Sequence, residues 1–339
     1  MKLYAGTDLH ARNHHLAILD EEDQKIFHKK LPNDKKAVLK TLKPFKQDLQ
    51  GVVVESTFNW YWYVDLLMEA GYKVHLANPG GMQKYKGLKH SDDKHDAFWL
   101  AHMLRLGILP EGYIYPKQTR PVRDLLRKRA HLVRLRTSLI LSLQSNVQRN
   151  RAYHLTSNEI KGCQIGTILK FFQAHECLEL TGKVGKATID FLSERIKEVE
   201  KQVRVFFKPY KPYKQLLTIP GVGDILAFTI LLETGSMARF KKVGNYVSYC
   251  RKVSSRWTSN GKVKGKGNKK NGNRYLAWAF SEAAEYARRY NVFCRAFYNK
   301  KLSKKHPMVA RNALANKLAR AAYYIMRDEV SFDVTKLFA

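Results

Sequence analysis

Hydrophobic and polar positions follow different rhythms in three stretches of this chain. Up to about residue 110, short β-prone runs alternate with segments of helical spacing. Residues 2–8 read as a strand and 51–55 (GVVVE) as a buried one. Residues 15–20 and 25–31 flank the polar turn Glu21-Glu22-Asp23, which predicts a hairpin. Val38, Leu39 and Leu42 carry helical spacing through 34–46, and 60–70 and 93–106 repeat it; 73–77 is a further short strand and Gly80-Gly81 a break. Strands covered by helices predict an α/β domain around a central sheet.

From about residue 118 the rhythm lengthens. Pro121 suits the first turn of a helix. Leu125, Leu132 and Leu139 recur every seven residues, as do Leu126, Val133, Ile140 and Val147, which is a coiled-coil spacing. A second long helix is expected over 187–207, with a helical or looped connector between. The pair is read either as a hairpin folded on itself or as a dimerisation arm. After about residue 211 the pattern changes again: Ile219-Pro220-Gly221-Val222-Gly223, an apolar helix over 225–232, a Gly- and Lys-rich segment over 262–273, and helices over 275–290 and 308–328. The expected domains are therefore 1–115, 116–210 and 211–339.

Charge narrows the function classes. Among 339 residues, 61 Lys and Arg face 29 Asp and Glu, a formal net charge of +32. A chain so charged repels itself unless a polyanion is near, which points to nucleic acid. The longest apolar runs are too short to cross a bilayer, and MKLYAGTDLH does not read as a signal peptide. The expected setting is the cytoplasm, in association with the nucleoid. Cys163, Cys177, Cys250 and Cys294 lack paired zinc spacing and read as free thiols.

Four acids carry the candidate chemistry. Asp8 ends the first strand, Glu55 ends GVVVE, and Asp93 and Asp96 share one face at a helix start. Side chains so placed can converge, and such a cluster needs cations to neutralise it. Hard oxygen donors suit Mg²⁺, and two such ions about 4 Å apart promote phosphoryl transfer. Asp92, adjacent, is a rival ligand. His10, His14, His15 and His95 are read as solvated or hairpin-facing rather than as ligands.

Positive charge concentrates elsewhere. Residues 241–274 hold eleven Lys or Arg and no acid, with glycines that let a loop lie on phosphates. Lys262, Lys264, Lys266 and Arg274 are candidate contacts. Ser254, Ser255, Thr258 and Ser259 lie among them, and a serine there can attack a phosphodiester. The Ile219–Gly223 stretch resembles a helix-hairpin-helix turn, whose backbone at Gly221 and Gly223 would grip phosphate. Arg123, Arg127 and Arg134 would spread along the basic helix.

Taken together, Gly6-Thr7-Asp8, Val54-Glu55, Asp93-Lys94-His95-Asp96-Ala97, the basic helix over 122–150, the Ile219–Gly223 stretch, Arg239-Phe240, Ser259-Asn260-Gly261-Lys262 and Gly272-Asn273-Arg274-Tyr275-Leu276 resemble the DEDD insertion-sequence transposases. These are bridge-RNA-guided serine recombinases related to the pilin-gene invertase. The resemblance spans nearly the whole chain. It implies an RNase H-like (RuvC-like) first domain with Asp8, Glu55, Asp93 and Asp96 as Mg²⁺ ligands, a coiled-coil linker that builds dimers and tetramers, and a mainly helical transposase domain. It also implies that Ser259, at the family's Ser-Gly-Gly-Lys-like position, becomes covalently linked to DNA. A structured guide RNA pairing with donor and target DNA is a further implied partner. The chain departs from the family in two places. Arg251-Lys252-Val253-Ser254 stands where Gly-Leu-x-Pro is usual, which keeps Ser254 and Ser255 in view. Asp92 stands where Thr often precedes the third acid. The alternative activities are site-specific inversion without mobility, a metal-dependent junction nuclease without the serine step, and a non-enzymatic nucleic-acid scaffold.

Overall fold

A computed structural model describes residues 1–82, 92–207, 210–253, 256–266 and 271–338, with the backbone alone for 256, 257 and 266. Two compact units result, Met1–Lys117 and Gln118–Ala339.

In the first unit the strands are β1 (Leu3–Leu9), β2 (Asn13–Leu19), β3 (Lys25–Pro32), β4 (Leu49–Glu55) and β5 (Val74–Ala77). The helices are α1 (Lys35–Leu42), α2 (Trp60–Glu69), α3 (Pro79–Met82) and α4 (Asp93–Arg105). The sheet order is β3-β2-β1-β4-β5. The β1–β2–β3 pairings are antiparallel, and β1–β4 and β4–β5 are parallel. The β2–β3 hairpin is the one the sequence predicts, turning at Asp23 with φ +70.

Both sheet faces are covered, which is why β1 and β4 are apolar at successive positions. Ala5, Leu16, Val52 and Val54 pack with Val38 and Leu42 of α1 and Tyr63 and Leu67 of α2. On the other face Ala17 and Leu19 meet Ala97, Phe98 and Ala101, and Val53 meets Leu100 and Met103, all from α4. The Asp23 carboxylate takes His102 Nδ1 at 2.7 Å and Arg105 Nε at 3.0 Å, fastening the C-terminal end of α4 to the hairpin turn.

The approach of α4 to β1 depends on Gly6. A Cβ there would lie 2.0 Å from the Ala97 carbonyl oxygen and 2.7 Å from the Ala101 nitrogen, both backbone atoms that cannot swing aside. Gly6→Ala is therefore expected to lift the helix and destabilise the unit by about 1–3 kcal/mol. Urea unfolding measures the change, and an unchanged midpoint would contradict this packing.

The second unit opens with a helix pair. Helices α5 (Arg120–Arg151) and α8 (Glu176–Phe207) run antiparallel: Gly185 packs against Leu143, Arg136 Nη1 donates to Ser193 Oγ at 3.1 Å, and Arg129 Nε donates to Glu200 Oε1 at 2.9 Å. The short helices α6 (Ser157–Gly162) and α7 (Ile165–Leu169) fill the connection. Helix α8 begins eleven residues before the expected 187 because Gly182 and Gly185, poor helix formers by themselves, admit Phe172 and Leu143 against its backbone.

The chain continues through α9 (Lys211–Leu216), α10 (Asp224–Thr234), α11 (Val243–Tyr249), β6 (Arg256–Ser259), β7 (Lys262–Lys266), α12 (Arg274–Tyr290), α13 (Val292–Leu302), α14 (Pro307–Asp328) and α15 (Val334–Phe338). Alanines at 279, 283, 284, 287, 310, 315, 319 and 322 lie in one core on α12 and α14. The expected α/β sheet followed by a mostly helical C-terminal region is what forms. Among the described residues no helix is long and apolar enough to cross a membrane.

Candidate active site

Strand pleat puts the acids on one side of the sheet. Side chains alternate along β1, so Asp8 shares Gly6's face, the one against α4. Thr7 points the other way and hydrogen-bonds Tyr63 at 3.1 Å. Thr7 is in register with Val54 on the parallel neighbour, so Glu55 follows beside Asp8 and shares its face with Val53. Helix α4 delivers Asp93 and Asp96 from its first turn.

Asp92 and Asp93 play different parts. Asp92 is the N-cap of α4: its carboxylate accepts from the His95 backbone N–H at 2.7 Å and contacts His95 Nδ1 at 2.7 Å. Asp93 turns toward Asp8. Between them stands His10, whose Nε2 is 3.1 Å from Asp8 Oδ2 and 3.5 Å from Asp93 Oδ2. One ligand atom from each of Asp8, His10 and Asp93 lies within 4.8 Å of the others, a grouping that can hold a metal ion.

The Asp8 side chain is 8% exposed and that of Asp93 55%. Burial raises the Asp8 carboxyl above its usual range; the His10 charge pulls it down, and the charges of Asp96 and Asp93 push it up again. Asp96 thus lies within the field of the same cluster. A buried acid pressed by like charges is a site that a divalent cation relieves. Asp8 and Asp93, with His10, make the closest cluster; Asp96 acts on it through its charge; Glu55 reaches its face by register.

The hairpin histidines divide. His14 is buried against Tyr63 and Asn33, and burial lowers its pKa. His15 Nδ1 lies 3.2 Å from His28 Nε2, while its Nε2 is 3.8 Å from Asp93. His95 serves Asp92. His10 differs from the others, because the turn between β1 and β2 brings its ring beside Asp8 while leaving it 42% exposed.

In the second unit Ser259 ends β6 and pairs with Lys262 across Asn260 and Gly261, whose φ values are +50 and +70. These left-handed residues make the tight hairpin turn that Asn-Gly favours. The segment expected as an open loop on phosphates is thus in part a hairpin. Asn-Gly between Thr258 and Val263 was the available signal. Ser259, Lys262 and Lys264 are exposed, as are Arg134 and Arg274. Ser254, Ser255 and the Lys266 side chain lie outside the described residues.

Arg123 is buried and Arg127 half-buried, and both are engaged by a carboxylate. Arg123 Nη2 is 3.0 Å from Glu233 Oε2, and Arg127 Nε is 2.6 Å from Glu233 Oε1. Gly221 also serves the interior, since its φ is +80 and a Cβ would lie 2.2 Å from the Ala283 carbonyl oxygen. Gly223 is the exposed N-cap of α10.

Residues 5–150 match the family model of the IS110-type DEDD transposases, described as "Transposase". Residues 213–299 match a second, described as "Transposase IS116/IS110/IS902 family". A "Probable family 20 transposase" of Pseudomonas aeruginosa is 23% identical over 292 residues, 83% of this chain and 85% of that protein. The "Transposase for insertion sequence element IS1328" of Yersinia enterocolitica is 27% identical over 139 residues, 40% of this chain and 42% of that protein. A sheet domain with converging acids, followed by a helical domain, and these matches define a DNA-processing enzyme that catalyses phosphoryl transfer with divalent metal. The chain belongs to the IS110/IS116 transposase family.

Proposed function

We propose that this transposase cuts and rejoins donor and target DNA in two transesterifications, with Ser259 as the nucleophile and Asp8, Glu55, Asp93 and Asp96 holding divalent cations at the scissile phosphate. The carrying observation is the convergence of buried Asp8 with Asp93 on one face of the sheet. Carboxylates are hard donors of the kind that hold Mg²⁺. When bound, the cations stabilise the charge that develops on the phosphate. The Ser259 Oγ–P bond forms as the sugar O–P bond breaks. The proton leaving the serine hydroxyl is matched by one gained at the freed sugar oxygen. A second DNA hydroxyl then displaces the serine, restoring it and joining the new partner.

Exposed Lys262 and Lys264 flank the serine on its hairpin, and a net charge of +32 favours polyanions around it. Arg134, Gly223, Lys266 and Arg274 are the further proposed nucleic-acid contacts. A structured guide RNA is the proposed second polyanion, and RNA retained through purification and sensitive to ribonuclease would support it. The α5–α8 pair is the proposed coiled-coil assembly arm for dimers or tetramers.

Labelled DNA carrying the element's ends, resolved on denaturing gels, tests the chemistry. The wild type should form a covalent protein–DNA adduct. Ser259→Ala should form none, and Asp8→Asn should neither cut nor form it. Cutting to free ends by Ser259→Ala at the wild-type rate would replace the proposal with metal-only hydrolysis. An adduct that persists in Ser259→Ala would move the nucleophile elsewhere.

A further inference from the structure

We propose that His10 is a direct ligand of the bound cation, so that the centre is a mixed imidazole–carboxylate site favouring a transition-metal ion such as Mn²⁺ over Mg²⁺. The assignment rests on the carboxylate site proposed above and adds a residue outside its four acids.

The geometry is that of a ligand. His10 Nε2 faces the gap between Asp8 Oδ2 at 3.1 Å and Asp93 Oδ2 at 3.5 Å. The nitrogen is itself buried beside Asp8, although the ring is partly exposed. A single N–H aimed at one carboxylate would give a short, straight, charge-assisted contact. An atom set between two carboxylate oxygens, with one ligand atom from each of the three residues within 4.8 Å of the others, instead marks the rim of a hole for a cation.

The backbone holds His10 in place independently of its ring. Its carbonyl oxygen accepts from Asn33 Nδ2 at 2.9 Å and from Asn59 Nδ2 at 2.8 Å, and its N–H donates to the Asn13 carbonyl at 2.9 Å. Three residues from three segments therefore hold this turn. A backbone held in this way sets where the ring stands before an ion arrives.

Ligand chemistry then sets the preference. Mg²⁺ takes oxygen donors in an octahedron and keeps several waters. An imidazole nitrogen adds more to ions later in the first transition row than to Mg²⁺. His15 is the competing nitrogen, with Nε2 3.8 Å from Asp93 Oδ2 and Nδ1 on His28, but the group whose ligand atoms gather is Asp8, His10 and Asp93.

Electron spin-echo envelope modulation on the full-length protein loaded with one equivalent of Mn²⁺ tests this. The expected result is ¹⁴N modulation from a coordinated imidazole in the wild type and its loss in both His10→Ala and His10→Gln. The same substitutions should lower the Mn²⁺-over-Mg²⁺ affinity ratio by at least about tenfold. His10 is partly exposed, and circular dichroism checks that both variants keep the fold. Bound Mn²⁺ without ¹⁴N modulation in the wild type overturns the His10 assignment and leaves the carboxylate site standing. Modulation that survives in His10→Ala and disappears in His15→Ala also overturns it. A wild type that binds no Mn²⁺ or Mg²⁺ removes the carboxylate site, and this assignment with it.

Discussion

Glu233→Ala should destabilise the second unit by about 3–5 kcal/mol, the range for breaking a buried ion pair from one side. The Glu233 side chain is 2% exposed. It receives Arg123 Nε and Nη2, Arg127 Nε and Nη2, and Asn273 Nδ2 at 2.6–3.2 Å. Burial alone would raise its carboxyl pKa. The hydrogen bond from Arg127, the charges of Arg123 and Arg127, and the Asn273 amide outweigh that, so the group stays ionised below the usual glutamate range. Alanine would remove the carboxylate that faces the buried Arg123 guanidinium. It would also release Asn273, whose Oδ1 caps α12 through the backbone N–H groups of Tyr275 and Leu276. Because the carboxyl pKa is depressed, its stabilisation is present above the unfolded value and lost as pH falls through the folded one. Denaturant unfolding of wild type and variant at neutral pH measures the loss. A difference under about 1 kcal/mol would show that the arginines find water or other partners.

The second large effect has the opposite sign. Lys252 is 5% exposed, its Nζ sits 2.6 Å from Ser281 Oγ, and burial, partly offset by Cys250 and reinforced by Arg311, pushes its pKa down to about 8. Below that value both folded and unfolded chains hold the ammonium, and the folded state carries its full desolvation cost. Between about 8 and the ordinary 10.5, the folded group is neutral while the unfolded one still binds a proton. Stability therefore rises with pH across that window, by about 3 kcal/mol in all, and levels off above it. Lys252→Leu replaces the buried ammonium with an apolar side chain of similar reach. It should stabilise the protein at pH 7 by up to that amount and flatten the rise. Ser281 keeps its own bond to the Ala277 carbonyl at 3.0 Å, so no hydroxyl is orphaned. Melting temperatures from pH 7 to 10.5 test this, and parallel curves for the two proteins would refute it.

The first unit was readable from its pattern because its signals are local. The β2–β3 hairpin, GVVVE and the spacing of Asp93 and Asp96 each declare themselves within a few residues. Contacts distant in sequence were not readable. Nothing near Arg123 or Arg127 says that a carboxylate 110 or 106 residues away will draw them inward; a basic helix looks the same whether its arginines serve phosphates or Glu233. His10 was obscured for a related reason. Its ring reaches Asp93 only after β1 and α4 have packed, and that packing depends on Gly6. The β6–β7 hairpin is a different case: its Asn-Gly turn was local, but the density of lysine and glycine around it reads as loop.

The β6–β7 hairpin belongs to an excursion closed at its neck. The Asn273 N–H donates to the Tyr249 carbonyl at 2.7 Å, and Arg251 Nε and Nη2 donate to the Gly272 carbonyl at 3.1 and 2.8 Å. Departure and return are thus tied together, with Lys252 just inside the neck anchored to Ser281 of α12. Doubling the excursion's length would cost only about 0.6 kcal/mol of closure entropy. The length of this stretch can therefore change while the scaffold beneath stays folded.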